Sequence, residues 1–163
     1  MARSPLSIDR SILNVNSRMP SLPQAIGAAG SNEETSYIVW NCIESSLAGL
    51  DRSFTGMKFH SSFKAFAAGL SKKACADAGW ESRPTDGHLD SLSRATFLRM
   101  QAKYSEGDHK LLAEATRRFN IYVADPSNVE VLPSDIILPV FKLILRESDS
   151  GEEYDRLMKL YDR

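Results

Sequence analysis

A chain of 163 residues with 20 Lys and Arg against 21 Asp and Glu, 42% hydrophobic and 25% charged, has the composition of one globular domain. A domain of roughly 150 residues buries about 68–70% of the surface its unfolded form exposes, so its core needs neither disulfide nor structural metal. A formal net charge of -1 gives no electrostatic reason to expect a polyanion or a membrane surface as partner, since phosphate binding normally shows as a clustered basic excess, so nucleic acid is not an expected partner.

Cys42 and Cys75 lie far apart, with no CxxC and no His at finger spacing, so two buried, reduced thiols are expected. No apolar run approaches the ~20 residues of a membrane span. Asp9 and Arg10 break the N-terminal segment before a signal-peptide core can form, which predicts a cytoplasmic chain.

Residues 1–18 mix Ser, Asn and Arg without periodicity and read as an irregular tail; residues 19–163 form the expected helical domain. A two-turn helix is predicted over Leu22–Ala29, with Pro20 and Pro23 at its start and Gly30 at its end. Ser31 and Glu34 offer a capping box for a second helix, Glu34–Phe54, whose stripe is Val39, Ile43, Leu47, Leu50 and Phe54 with Trp40 beside it.

A third helix, Phe59–Ala78, carries Phe59, Phe63, Phe66, Leu70 and Ala74 on one face and stops at Gly79. The fourth begins near Asp86, whose carboxylate is expected to cap its first turn, and turns Leu89, Leu92, Thr96 or Phe97, and Met100 inward. Asp108 opens a fifth, with Leu111, Leu112, Ala115, Phe119 and Tyr122 inward, closed at Asp125 and Pro126. The alternation Val129–Val131 is too short for a strand and reads as loop.

A sixth helix carries Ile136, Ile137, Val140, Phe141, Ile144 and Leu145; Pro139 inside it predicts a late start or a bend. A seventh presents Tyr154, Leu157, Met158 and Tyr161 after a capping box from Ser150 to Glu153. The fold class expected is therefore all-α, with antiparallel helix pairs stacked as a HEAT-like α-solenoid or irregular helical array. A closed helical bundle is the alternative.

Chemistry is sparse. His60, His88 and His109 have no second His or Cys at ligand spacing, and HExxH, nucleophile elbow, Walker loop and dinucleotide fingerprint are all missing, so no catalytic or metal residue is assigned. Asp86, His88 and Asp90 crowd one helix start, where two carboxylates and an imidazole suit either a metal or, the reading preferred, helix capping beside a solvated His. Asp90 and Arg94 form an i, i+4 pair; Arg94 and Arg118, if they share a groove, would bind carboxylates. His88, Asp90, Arg94 and Arg118 are the candidate peptide or domain-interface residues.

In order, ETSYIVWNCIESSLAGL, GWESRPTDGHLDSLSR, EATRRFNIYVAD, VLPSDI and EEYDRLMKLY resemble the C-terminal helical domain of the gluzincin zinc aminopeptidases, the group of the puromycin-sensitive and endoplasmic-reticulum enzymes. The resemblance spans Ser21 to Arg163, and rests on the order of Tyr37, Trp40, Gly79-Trp80, His88-Leu89-Asp90, Arg118-Phe119 and Leu132-Pro133. It implies a helical domain that closes over a catalytic domain, limits access to it and helps hold the peptide. The family's zinc ligands and its GxMEN motif lie in other domains, so the resemblance implies no cofactor in this chain.

Two departures stand out: Ser93 replaces a frequent second Leu, and Pro139 is unusual there. The family's array continues past the segment resembling Tyr154–Tyr161, so the last helix is expected to keep an uncovered apolar stripe and to favour self-association. The leading expectation is a non-catalytic piece of an aminopeptidase-like protein, with a catalytic domain or a peptide as partner. A stand-alone helical-repeat interaction module is the alternative, and peptidase activity by this chain itself is not expected.

Overall fold

The computed structural model describes residues 36–148 and 151–161. Among them are six helices and no strand: α1 Tyr37–Phe54, α2 His60–Ala78, α3 His88–Tyr104, α4 His109–Ala124, α5 Ser134–Glu147 and α6 Glu152–Tyr161. The expected tail 1–18, the two-turn helix Leu22–Ala29, the capping box Ser31–Glu34 and the Ser150 half of the last one lie outside the described residues. The short Val129–Val131 alternation is loop, as three residues without a partner strand should be.

Helix α3 is the centre. It packs on α1 and α2 and also on α5, while α4 and α6 join through α5 and each other. Trp40 meets Phe97, Glu44 pairs with Arg99 and Asp51 with Lys103, so α1 and α3 run side by side in the same direction. Helix α2 returns antiparallel: Gln101 donates to Ala68 O at 2.8 Å, and Lys64 meets Glu106 at 2.8 Å.

Two apolar clusters result. Trp40, Ile43, Leu47, Ala67, Phe97, Met100 and Tyr104 form the first; Leu98, Ala102, Ala115, Phe119, Leu132, Ile136 and the buried face of α5 form the second. α3 supplies both, with Phe97, Met100 and Tyr104 on one side and Leu98 and Ala102 on the other. Fully burying each large side chain contributes about 1.5–3 kcal/mol, and edge-on pairs such as Trp40–Phe97, 5.0 Å apart at 89°, add about 0.5–1.5 kcal/mol.

A helix buried on nearly all sides is usually apolar all round; α3 instead buries Ser93, Arg94, Thr96 and Gln101, with Ser105 just beyond its end. Each of these needs a partner. Thr96 Oγ1 bonds back to Leu92 O at 2.9 Å, Gln101 Nε2 donates to Ser71 Oγ at 2.8 Å, and Ser105 Oγ donates to Gln101 Oε1.

Several packing faces are rotated from expectation. Trp40 is 1% exposed and lies in the α1 stripe, not beside it. On α2 the contact with α3 falls on Ala67 and Ser71, leaving Phe59 and Phe66 about half exposed; small residues let the two backbones approach, which the aromatic spacing conceals. Leu89 and Leu145 face solvent and Leu143 is buried instead. Helix α5 does not start late, running from Ser134 with Pro139 buried inside it, and α3 begins at His88 with Gly87, not Asp86, as its N-cap. Both cysteines are free and half-buried rather than buried; burial pushes the Cys75 thiol up to about 12, with the Asp108 charge adding to it.

Candidate functional site

The strongest site lies where α2 ends and α3 begins. Gly79 terminates α2 with φ +67, a left-handed conformation that favours glycine, and its N–H bonds Cys75 O at 3.0 Å. The connecting loop is held by one carboxylate. Asp86 Oδ2 accepts the Arg83 main-chain N–H at 2.9 Å and also the Arg94 guanidinium. Asp90, at the third helical position, reaches back to the Gly87 N–H at 2.7 Å, the acidic half of a capping box whose other half glycine cannot supply.

The Asp86 carboxyl is held below the usual aspartate range by the Arg83 N–H first and by Arg94 next, against partial desolvation. Asp86 is thus a loop clamp and an ion-pair partner, and the capping expected of it falls to Asp90.

A cavity of about 210 Å³ opens there, walled by Trp40, Phe97, Ala74 and Ala78 and lined also by Asp77, Arg83, Asp86, Asp90, Ser93 and Arg94. Arg94 has a side chain 5% exposed, and its Nε has no hydrogen-bond partner among the described residues. A buried donor left unpaired costs about 1–3 kcal/mol or more.

The four residues expected at an interface divide. Asp90 and Arg94 line this cavity together, and His88 is exposed at the first position of the same helix. Arg118 belongs to another cluster on α4. Its Nε donates to Glu114 Oε1 at 2.7 Å, one terminal nitrogen to Val131 O at 2.6 Å and the other to Glu81, and the guanidinium stacks 5.2 Å from the Trp80 ring centre. Glu114, bonded first by Arg117 and also by Arg118, is held down to about 2. Arg118 fastens the loop Val129–Pro133 and the chain after α2 to α4, and shares no bonding partner with Arg94.

Sequence reasoning missed the walls Trp40 and Phe97 and the rim residues Asp77 and Arg83. Only Arg83 had a signal, its spacing of three before Asp86 matching a turn. A larger open cleft of about 1030 Å³ runs between α2 and Glu106–Leu111, but its floor residues Gln101 and Ser105 satisfy each other and Lys64 is paired with Glu106. Among the described residues no group of three His, Cys, Asp or Glu could hold a metal, and no helix is long and apolar enough to cross a membrane.

Residues 21–163 match the model of the ERAP1-like C-terminal domain. Aminopeptidase M1 of Arabidopsis thaliana is 29% identical over 103 residues, covering 62% of this chain and 11% of that protein. Aminopeptidase M1-A of Oryza sativa subsp. japonica is 33% identical over 85 residues, covering 51% and 9%, and aminopeptidase M1-B of the same rice is 27% identical over 134 residues, covering 78% and 15%. The chain thus spans only a small part of these relatives' length. In M1 aminopeptidases zinc is held by the catalytic domain. With the match covering residues 21–163 and the described residues forming an all-helical array, the chain belongs to the ERAP1-like C-terminal domain family, the non-catalytic helical domain of the M1 zinc aminopeptidases.

Proposed function

We propose that this domain packs against the catalytic domain of a zinc aminopeptidase and contributes to holding the peptide from which N-terminal residues are removed. The observation that supports the reading is the cavity of about 210 Å³ at the α2–α3 junction, where Trp40 and Phe97 give apolar walls and Asp86, Asp90 and Arg94 polar ones. Asp90 and His88 would border the approach to it, and Arg118 would act by keeping the Trp80–Glu81 segment in place. Stacking of α1 with α2 and of α4 with α5 is read as HEAT-like pairing.

The test is NMR of the isotope-labelled chain titrated with mixed decapeptides. Resonances at the α2–α3 end should move, and no movement at millimolar peptide would overturn the reading. The purified chain should release no amino acid from a chromogenic aminoacyl substrate, with or without added zinc. Activity that survives repurification and disappears with chelator would refute the non-catalytic role of the isolated chain.

Self-association belongs to the same reading. Tyr154 and Met158 are 55% and 44% exposed on the outer face of α6, four residues apart and therefore adjacent on the helix surface. Sedimentation equilibrium should show concentration-dependent dimers that the double substitution Tyr154→Ser, Met158→Ser abolishes.

A further inference from the structure

The open cleft of about 1030 Å³ keeps its free chemistry on its walls. Its floor is complete: Gln101 donates to Ala68 O and to Ser71 Oγ, each at 2.8 Å, and accepts from Ser105 Oγ. Lys72 stands on the α2 wall, and His109 and Lys110 stand opposite on the first turn of α4. All three are exposed, and none has a side-chain partner among the described residues. The two acids of the lining are engaged, Glu106 by Lys64 at 2.8 Å and Asp108 by the Leu111 N–H at 3.1 Å. The charge left over is therefore positive, and it lies on both sides of the cleft.

The α2 wall is also low. Ala65, Gly69 and Ala76 fall on one helix face with Lys72 among them, and none of the three is larger than a methyl group. A peptide backbone can lie close against such a face. From Ala65 to Ala76 the helix rises about 16 Å, the length of about five residues of extended chain.

We propose that this cleft is a docking groove for an acidic stretch of extended peptide, whose backbone lies along the small face of α2 and whose carboxylates meet Lys72 and Lys110. A basic peptide would bring its charges to these lysines with no carboxylate free to receive them, and an uncharged one would leave both lysines as they are. The inference rests on the peptide-holding role above and names a second surface and a peptide chemistry for it. The cleft is edged by Cys75, Ala76 and Gly79 and the smaller cavity by Ala74, Asp77 and Ala78, so the two lie on either side of the last turns of α2.

A free anion shares the carboxylate chemistry, so the test separates the two sources. The full isotope-labelled chain is titrated with capped pentaglutamate, capped pentaglutamine, capped pentalysine, free glutamate and sodium sulfate, following the backbone amides of Gly69, Ala76 and Lys110. All three should move with pentaglutamate, which should bind about fivefold or more tightly than pentaglutamine and weaken as salt rises from about 0.05 to 0.5 M.

Lys72→Gln and Lys110→Gln, both at exposed positions, should each weaken binding about two- to fivefold. Gly69→Leu tests the groove itself. A Cβ at Gly69 meets nothing within 4 Å, and leucine is the better helix former, so this variant should melt cooperatively while its side chain blocks the cleft.

Equal binding of pentaglutamine, or no movement of these amides with pentaglutamate, would overturn the proposal. So would free glutamate or sulfate binding as tightly as the peptide, which makes the lysines an anion site only, and so would undiminished binding by Gly69→Leu, which makes the attraction diffuse. Mixed decapeptides that move the α2–α3 end while pentaglutamate leaves the cleft unmoved keep the peptide role and remove this one; pentaglutamate that fills the cleft while mixed decapeptides move nothing does the reverse.

Discussion

Arg118 and Arg94 are both almost fully buried, yet they face opposite accounts. Arg118 spends its guanidinium on Glu114, Glu81 and the Val131 carbonyl, so its removal strands the loop oxygen and opens a space beside Trp80. Arg118→Met should destabilise the chain by at least about 2 kcal/mol in urea unfolding, and Arg118→Lys should recover only part, because lysine cannot bond in a fork. Glu114 adds a pH dependence. Its folded value of about 2 lies below the ordinary 4.5, so its contribution is full above the ordinary value and is lost as pH falls toward 2. Thermal melts between pH 5 and pH 2.5 should therefore fall less steeply for Glu114→Gln than for the parent.

At the scale of elements, the helices themselves were legible and their rotations were not. Periodicity finds α1, α4 and α5 because their apolar residues recur at three and four, and the Asp108 cap on the Leu111 N–H follows from its place before that run. It fails on α2 and α3 for opposite reasons. Phe59 and Phe66 draw attention by size, while the α2 contact is made by Ala67 and Ser71, which permit close approach. In α3, Arg94 and Gln101 are polar residues outside the apolar stripe, and tertiary partners such as Asp86 and Ser71 allow them inside. Of the candidate site, Asp90 and Arg94 were legible through their i, i+4 spacing, whereas Trp40 and Phe97 come together across 57 positions of sequence. Phe66→Ser should thus change stability by no more than about 0.5 kcal/mol, and Ala67→Leu should cost about 1–3 kcal/mol, both read from thermal melts. Gly79→Ala, with open space around the added methyl, should cost roughly 1 kcal/mol from backbone strain alone.

For the whole molecule, the family match places the zinc chemistry of M1 aminopeptidases in another domain. Among its described residues this domain brings a polar cavity, placed where three helices and a loop converge. The sequence made the family legible through the order of dispersed residues such as Tyr37, Trp40, Arg94 and Arg118. Three of these prove to be nine-tenths or more buried, so they report the architecture of the fold more than its ligand.

The central position of α3 has a consequence for how the chain comes apart. In a linear stack each repeat leans only on its neighbours, and one end can fray while the other persists. Here one helix is the common wall of both cores, so neither half has a complete interior without it. Loss of order at either end must propagate through the same ten-residue stretch from Ser93 to Ala102, and the domain should lose its structure in a single step, with slow hydrogen exchange concentrated on that stretch.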